Sequence, residues 1–397
     1  MLSACVDYGD ATHEVAARVV VAPPQEFEGK ASLGGRTVAM QLGGQTLTAR
    51  TDGQGVATFA RLVPDVYDIS TSWEMTADEY RAATGDNQVV SGCVVSGSLN
   101  QYLVREEQTI VLETHLSISR DILIGKVYYA GSKDVNNRTY MAGKYVELYN
   151  QSEDSVDVAG LYLGLVEAES TQAYTLENLQ AEHADSVLLK QVFRIPADKP
   201  CLVKPGGTVL IVNSATDHTP NNLMESDLTD ADFEAKDATG KTTNNPATPA
   251  LELVYTMYPA VSNMNLVQSG PCGVVIFRTD DDVARWPRTY AYGKTSGSQW
   301  LLLDKRLVTD GIEILRLKPT GIDIATKRLY DDIDAGYANI AAASGWNGEV
   351  VYRKTARRTD SGQLILTDTN NSSNDMKTSA TIKPRQYDES DSATNNE

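Results

Sequence analysis

Apolar residues recur at every second position in Val15, Ala17, Val19 and Val21, and again in Val38, Met40 and Leu42. That period belongs to a β-strand with one face buried; a helix would return its apolar stripe every three or four residues. Turn chemistry punctuates these runs. Gly43-Gly44 follows the second, and Thr51-Asp52-Gly53-Gln54-Gly55 precedes a third, Val56 to Leu62. Strands at this spacing are those of a β-sandwich, expected over residues 15–120.

The same logic extends along the chain. Val146 and Leu148 point one way from a strand while Tyr145, Glu147 and Tyr149 point the other, and Asn150 to Asp154 is polar turn sequence. Pro205-Gly206-Gly207 turns into Thr208 to Val212, a continuous apolar run suited to a strand covered on both faces. A second antiparallel sandwich is therefore expected over residues 121–386. Two stretches within it, about 214–262 and 280–345, show no uninterrupted strand pattern and are expected to be surface insertions that carry recognition. In the first, residues 226–237 read as a short acidic helix with Thr229 as N-cap and Asp230 and Asp232 in its first turn. Residues 1–14 are expected to be a tether and residues 387–397 a disordered tail. The expected fold class is thus mainly β: two immunoglobulin-like β-sandwich domains, the second with long insertions.

Charge and cysteine usage narrow the partners. With 35 Lys+Arg against 53 Asp+Glu the net charge is −18, which repels phosphates and disfavours nucleic acid. No apolar run approaches the roughly 18 residues of a spanning helix, so any membrane contact is expected through an anchor alone. The cysteines at 5, 93, 201 and 272 include no CxxC pair, which leaves a zinc–thiolate site without support. With Cys5 set aside, three thiols allow one disulfide, Cys201 with Cys272 being one pairing.

Three stretches resemble known families. Leu2-Ser3-Ala4-Cys5 resembles the lipobox of bacterial lipoproteins, with Asp7 and Asp10 following as in the surface-export signal of Bacteroidota; the charged and apolar segments of a full signal peptide are absent from the sequence. The resemblance implies lipidation at Cys5, and two or three acyl chains anchor stably where one is marginal. Residues 51–70 resemble the carboxypeptidase-regulatory or transthyretin-like sandwich at Asp52, Gly55, Phe59, Leu62, Pro64, Tyr67 and Ile69, with Asp65 where that family usually has glycine. Tyr145 to Asn150, Val156, Asp157, Val158, Gly160, Leu163, Pro205, Gly206 and Val209 to Val212 resemble a lamin-tail domain, departing from it at Leu161, where a tryptophan is usual, and in length. Over most of its length the chain resembles an uncharacterised family of Bacteroidota surface lipoproteins. That resemblance implies an outer-membrane location facing the cell exterior and a TonB-dependent β-barrel receptor as partner.

Catalytic signatures are missing. His13, His115, His183 and His218 lie far apart with no HExxH or HxH context, and GxSxG is absent. Gly293-Lys294-Thr295 has Arg288 where a P-loop needs its first glycine. Residues 368–375 alternate hard oxygen donors, and Asp368, Asn370 and Asp375 are the candidate ligands for calcium; the same residues are also ordinary turn formers. Trp286, Tyr290, Tyr292, Trp300 and Trp346 are candidate contacts for a partner protein or glycan, or else fill the second insertion's own core. Arg353, Lys354, Arg357 and Arg358 form a basic cluster that either meets an acidic partner or answers internal acids, Arg353, Arg357 and Arg358 being the candidate contacts. Ser155, Ser186 and Ser392 follow aspartate in a pattern that resembles an O-glycosylation sequence of exported Bacteroidota proteins. The expected function is a non-catalytic surface lipoprotein serving a TonB-dependent transporter in nutrient capture. A free-standing adhesin or glycan-binding protein is the alternative, and a secreted hydrolase a lesser one.

Overall fold

The computed structural model describes residues 13–25, 27, 32–43, 45–84, 93–118, 121–167 and 175–388, and the strands and sheets counted are those these residues form. The chain is mainly β and divides into two compact units, Met1–Ser119 and Arg120–Glu397. Cys5 and Ser392 lie outside the described residues.

In the first unit, Val15–Ala22 pairs antiparallel with Val56–Leu62 and parallel with Gln108–Glu113. A five-stranded sheet faces it, ordered Gln45–Arg50, Thr37–Leu42, Asp65–Met75, Cys93–Val104 and His115–Ile118. Alternate residues of both sheets, among them Ala17, Val19, Val21, Val38, Met40, Phe59, Ile69 and Leu112, fill the core between them. The turn before Val56 is held by Asp52, whose Oδ1 accepts from the backbone N–H of Gln54 (2.9 Å) and Val56 (3.0 Å). Gly55 sits at φ +79°, where a side chain would be strained and would press on Leu33 and the Val21 carbonyl. The buried Tyr67 donates its hydroxyl to the Val63 carbonyl at 2.8 Å, satisfying its one polar atom at the start of its strand. A helix at Ala77–Thr84 has no counterpart in the strand periodicity. It starts on a capping box in which Glu79 accepts from the Thr76 backbone N–H (2.8 Å) while its own N–H donates to the Thr76 hydroxyl (3.2 Å).

The second unit is also a sandwich, with each sheet covered on its outer face as well. The first sheet runs Phe233–Glu234, Thr208–Val212, Tyr145–Asn150, Ile122–Tyr128, Val350–Arg353, Met376–Ser379. The second runs Arg288–Tyr290, Gln299–Asp304, Ser186–Arg194, Tyr162–Val166, Val274–Phe277, Val308–Ile312, with Glu252–Thr256 pairing beside the last part of Ser186–Arg194. Between the sheets pack Ile124, Val146, Leu148, Val209, Ile211 and Val351 from one side and Leu163, Leu165, Phe193, Val274, Ile276 and Ile312 from the other. Outside the first sheet, Ala215, Leu228 and Ala231 cover Tyr128, Tyr145, Leu210 and Val212. Outside the second, Val283, Leu329, Tyr330 and Ile333 cover Val187, Leu189, Val275, Phe277, Leu301 and Leu303.

Three expectations are corrected here. The two long stretches are not appended loops: Phe233–Glu234 and Glu252–Thr256 from the first, and Arg288–Tyr290, Gln299–Asp304 and Val308–Ile312 from the second, are strands of the two main sheets. No helix forms at residues 226–237. Asp227 instead caps a turn, accepting from the Thr229 N–H (3.0 Å) and hydroxyl (2.7 Å), and the chain then enters the parallel bridge of Phe233–Glu234 with Ile211 and Val212. Cys201 and Cys272 are free thiols rather than a disulfide.

Candidate functional site

The candidate basic cluster separates at the sheet. The side chain of Arg353 is only 2% exposed and enters a nest of acceptors: Asp310 Oδ1 at 2.7 Å, Asp368 Oδ1 at 3.2 Å, Asp375 Oδ2 at 3.4 Å, and the carbonyls of Ile124 (3.0 Å) and Thr367 (2.9 Å). Asp310 in turn accepts the Ile124 N–H at 2.6 Å, so the pair pins both sheets together. The three carboxylates hold the guanidinium charged, and burial makes the group's removal costly rather than its exposure useful. Arg353 is therefore not a partner contact. Arg357 and Arg358 lie exposed in the hairpin strand Thr355–Arg358.

The same geometry accounts for the calcium candidates. Asp368 and Asp375 converge on a cation, and that cation is Arg353. Asp375 also accepts the Thr369 N–H (2.8 Å) and hydroxyl (2.6 Å) and the Asn371 N–H (3.2 Å), while Asn370 turns away to donate to the Asp332 carbonyl at 3.2 Å. Among the described residues no group of three or more His, Cys, Asp or Glu side chains is placed to hold a metal ion.

Further charged groups escaped the sequence reading because interior lysines and glutamates in strands look like a wet face. Lys126 and Glu147, paired across neighbouring strands, meet at 2.6 Å with neither side chain exposed. Tyr387, expected to begin a disordered tail, is instead packed into the fold: it donates its hydroxyl to the same Glu147 Oε1 at 2.8 Å, and the Lys126 ammonium lies 3.4 Å from the centre of its ring. Burial lowers Lys126 to about 8. Lys190 is buried with no hydrogen-bond partner for its Nζ among the described residues, and desolvation pulls its pKa down. His218 is buried with both ring nitrogens answered, by the Tyr140 hydroxyl at 2.6 Å and the Ser214 carbonyl at 2.8 Å. Of these side chains, Tyr387 lines an open cleft together with Tyr149, Gly206 and Arg385.

The aromatic candidates also part company. Trp300 is 2% exposed and packs with Leu179, Leu188 and the half-buried Tyr292, so it is core rather than contact surface. Trp346 sits at φ +64°, half-buried against Gly131, 5.9 Å from the Lys144 ammonium. Tyr290 is half-buried in the edge strand Arg288–Tyr290. Trp286 lines an open cleft. Its indole stacks on Phe277 (centroids 5.8 Å, 28°), which stacks on Tyr162 (4.9 Å, 10°), over which the Arg194 guanidinium lies at 5.5 Å. Two buried rings thus brace the indole on the covered side of the second sheet.

The cleft beside Trp286 holds about 700 Å³ and is walled by Pro287, Leu302 and Leu307 on its apolar side and by Asp185, Asp281, Asp304 and Arg306 on its polar side. Asp185 reaches Lys305 at 3.2 Å, and Asp304 holds Arg306 through two parallel contacts, Oδ1 accepting from Nε (3.0 Å) and Oδ2 from Nη2, while capping the turn Lys305–Leu307 at the Arg306 N–H (3.0 Å). Ser186 lines this cleft, half-buried at the start of its strand, and its N–H donates to the Tyr330 hydroxyl at 3.1 Å. Ser155 is exposed in the turn after Tyr145–Asn150.

Residues 204–382 match the model of a family described as a protein of unknown function, DUF4876. The matched segment contains the Trp286 loop, Arg306, and Arg353 with its three carboxylates; Ile124, Asp185 and Ser186 fall before it. A DUF4876 family protein from Bacteroides thetaiotaomicron, known from its crystal structure, superposes with a TM-score of 0.57 at 17% identity, over 91% of this chain and 94% of that one. This shows a shared fold. Fervidolysin from Fervidobacterium pennivorans, a keratinolytic enzyme related to subtilisin, reaches a TM-score of only 0.18 at 14% identity, over 49% of this chain and 30% of that one, and carries no structural argument. No curated protein matches the chain.

Proposed function

We propose that this chain is a non-catalytic binding protein displayed on the outer membrane, anchored through a lipidated Cys5 and serving as the accessory subunit of a TonB-dependent β-barrel receptor. The observation that carries the binding half of this reading is the open, ring-braced cleft at Trp286, set beside interior acids and bases that are turned onto one another. Nucleophile, base and oxyanion donors arranged around one point are what an enzyme needs, and the buried His218 and the Arg353 nest spend their polar atoms on the fold instead. The location and the receptor rest on the resemblance of residues 2–5 to a lipobox and of the whole chain to Bacteroidota surface lipoproteins. Purification from native membranes in mild detergent tests both: a co-purifying barrel and a diacylated Cys5 by intact mass are expected, and an unacylated chain that travels alone would refute the reading.

A further inference from the structure

The chemistry of the Trp286 cleft restricts its occupant. An anion is disfavoured, because three carboxylates line the cleft against one guanidinium, and Asp304 already engages that guanidinium. A strongly cationic ligand gains little, since Lys305 answers Asp185 and Arg306 answers Asp304; Asp281 is the one lining carboxylate with no ion pair among the described residues. A wholly apolar ligand would leave the polar wall desolvated without partners, which is costly. The remaining class presents an apolar face to an aromatic ring and hydroxyl donors and acceptors at its edge. We propose that the cleft binds a neutral oligosaccharide, with a sugar ring laid on the Trp286 indole and its hydroxyls hydrogen-bonded to Asp281, Asp304 and Arg306.

The parts are arranged for that task. Phe277 and Tyr162 brace the indole from behind, so the platform loses little side-chain entropy when a ligand arrives. Asp304 engages the Arg306 guanidinium through both Nε and Nη2, which fixes it in plane, and a fixed carboxylate–guanidinium pair offers acceptor and donor side by side to neighbouring hydroxyls. The volume of about 700 Å³ lies in the range of small-ligand sites. The inference deepens the binding role proposed above and rests on it.

The test is calorimetric titration of the full chain with cello-, xylo-, manno-, laminari- and malto-hexaose. At least one is expected to saturate, with affinity unchanged between low and high salt because the ligand carries no charge. Trp286→Ala should weaken it about tenfold or more, the cost of losing an aromatic anchor. Asp281→Asn, at an exposed position that leaves packing intact, should weaken it several-fold, which keeps the test valid if Trp286→Ala fails to fold. Failure of all five sugars to saturate, binding that survives both substitutions, or salt-sensitive capture of a penta-lysine peptide in their place would overturn the proposal. A barrel that still co-purifies while no sugar binds would remove this inference and leave the accessory role standing.

Discussion

The two units solve the same architectural problem with different interiors. Among the described residues, the first unit buries threonines and serines but no charged side chain, whereas the second buries Lys126, Lys144, Glu147, Lys190, Asp310, Glu313, Arg353, Asp375 and others. The difference follows from layering. In the first unit strands such as Val15–Ala22 and Val56–Leu62 have one face in the core and the other partly wet, so charged residues find water. In the second, all seven residues of Ile122–Tyr128 and all six of Tyr145–Asn150 are buried, so every charge on those strands must find a protein partner. A sheet covered on both sides exchanges solvent for specific ion pairs.

The largest effect should come from breaking such a pair. Arg353→Ala strands Asp310 and Asp375 in the interior and is expected to cost about 3–5 kcal/mol in urea denaturation. Arg61→Ala, which removes the exposed ion pair with Glu14 in the first unit, should leave the unfolding midpoint unchanged. Equal losses for the two would contradict the contrast.

Outer-face packing comes next. Leu301 lies on the covered face of the second sheet and is fully buried, so Leu301→Ala should cost about 3 kcal/mol. Leu47 is 42% exposed in the first unit's edge strand, and Leu47→Ala should stay within about 0.5 kcal/mol. Thermal melts of the two variants decide whether the second sheet's outer layer is structural or merely adjacent.

A substitution that raises stability sharpens the point. Lys190→Met replaces a buried amine lacking a hydrogen-bond partner among the described residues with an apolar chain of similar length and should gain about 1–3 kcal/mol by the same melt. Loss of stability would mean that the amine has a partner in solution.

The last effect is graded by pH. Burial and the neighbouring Asp334 push Glu313 up to about 7 against the attraction of Lys327 and the N–H groups of Arg328 (3.1 Å) and Leu329 (2.5 Å). A carboxyl whose folded pKa is raised binds its proton more tightly in the native state. Its contribution is therefore full below the ordinary carboxylate range and is lost as pH rises through about 7. Glu313→Gln should flatten the decline in melting temperature between pH 5 and pH 8. An unchanged slope would assign the decline to other groups.

How far the sequence carries the reader differs between the units for the same reason. Asp52, Gly55 and Tyr67 announce their turn and strand directly, because a one-sided sandwich writes its burial as alternation. Gln299–Asp304 and Val308–Ile312 escape notice: they are short, their sequences show no regular period, and Gln299–Asp304 pairs with Ser186–Arg194 more than a hundred residues earlier. Of the candidate site, Trp286 could be singled out by composition, yet nothing in its neighbourhood separates it from Trp300. One lies over an opening and the other under the helix Leu176–Glu182, which only the packing of Leu179 and Phe277 reveals.

The sequence by itself determined the β class, the turns at Thr51 to Gly55 and Pro205-Gly206, and the absence of recognised catalytic motifs, since these depend on residues close along the chain. Tertiary structure alone decided which charges are interior: Arg353 and Arg357 are indistinguishable four residues apart until a second sheet places Asp310 beside one of them. Burial is a property of what folds over a strand, and that covering chain lies too far away in sequence to leave a local mark.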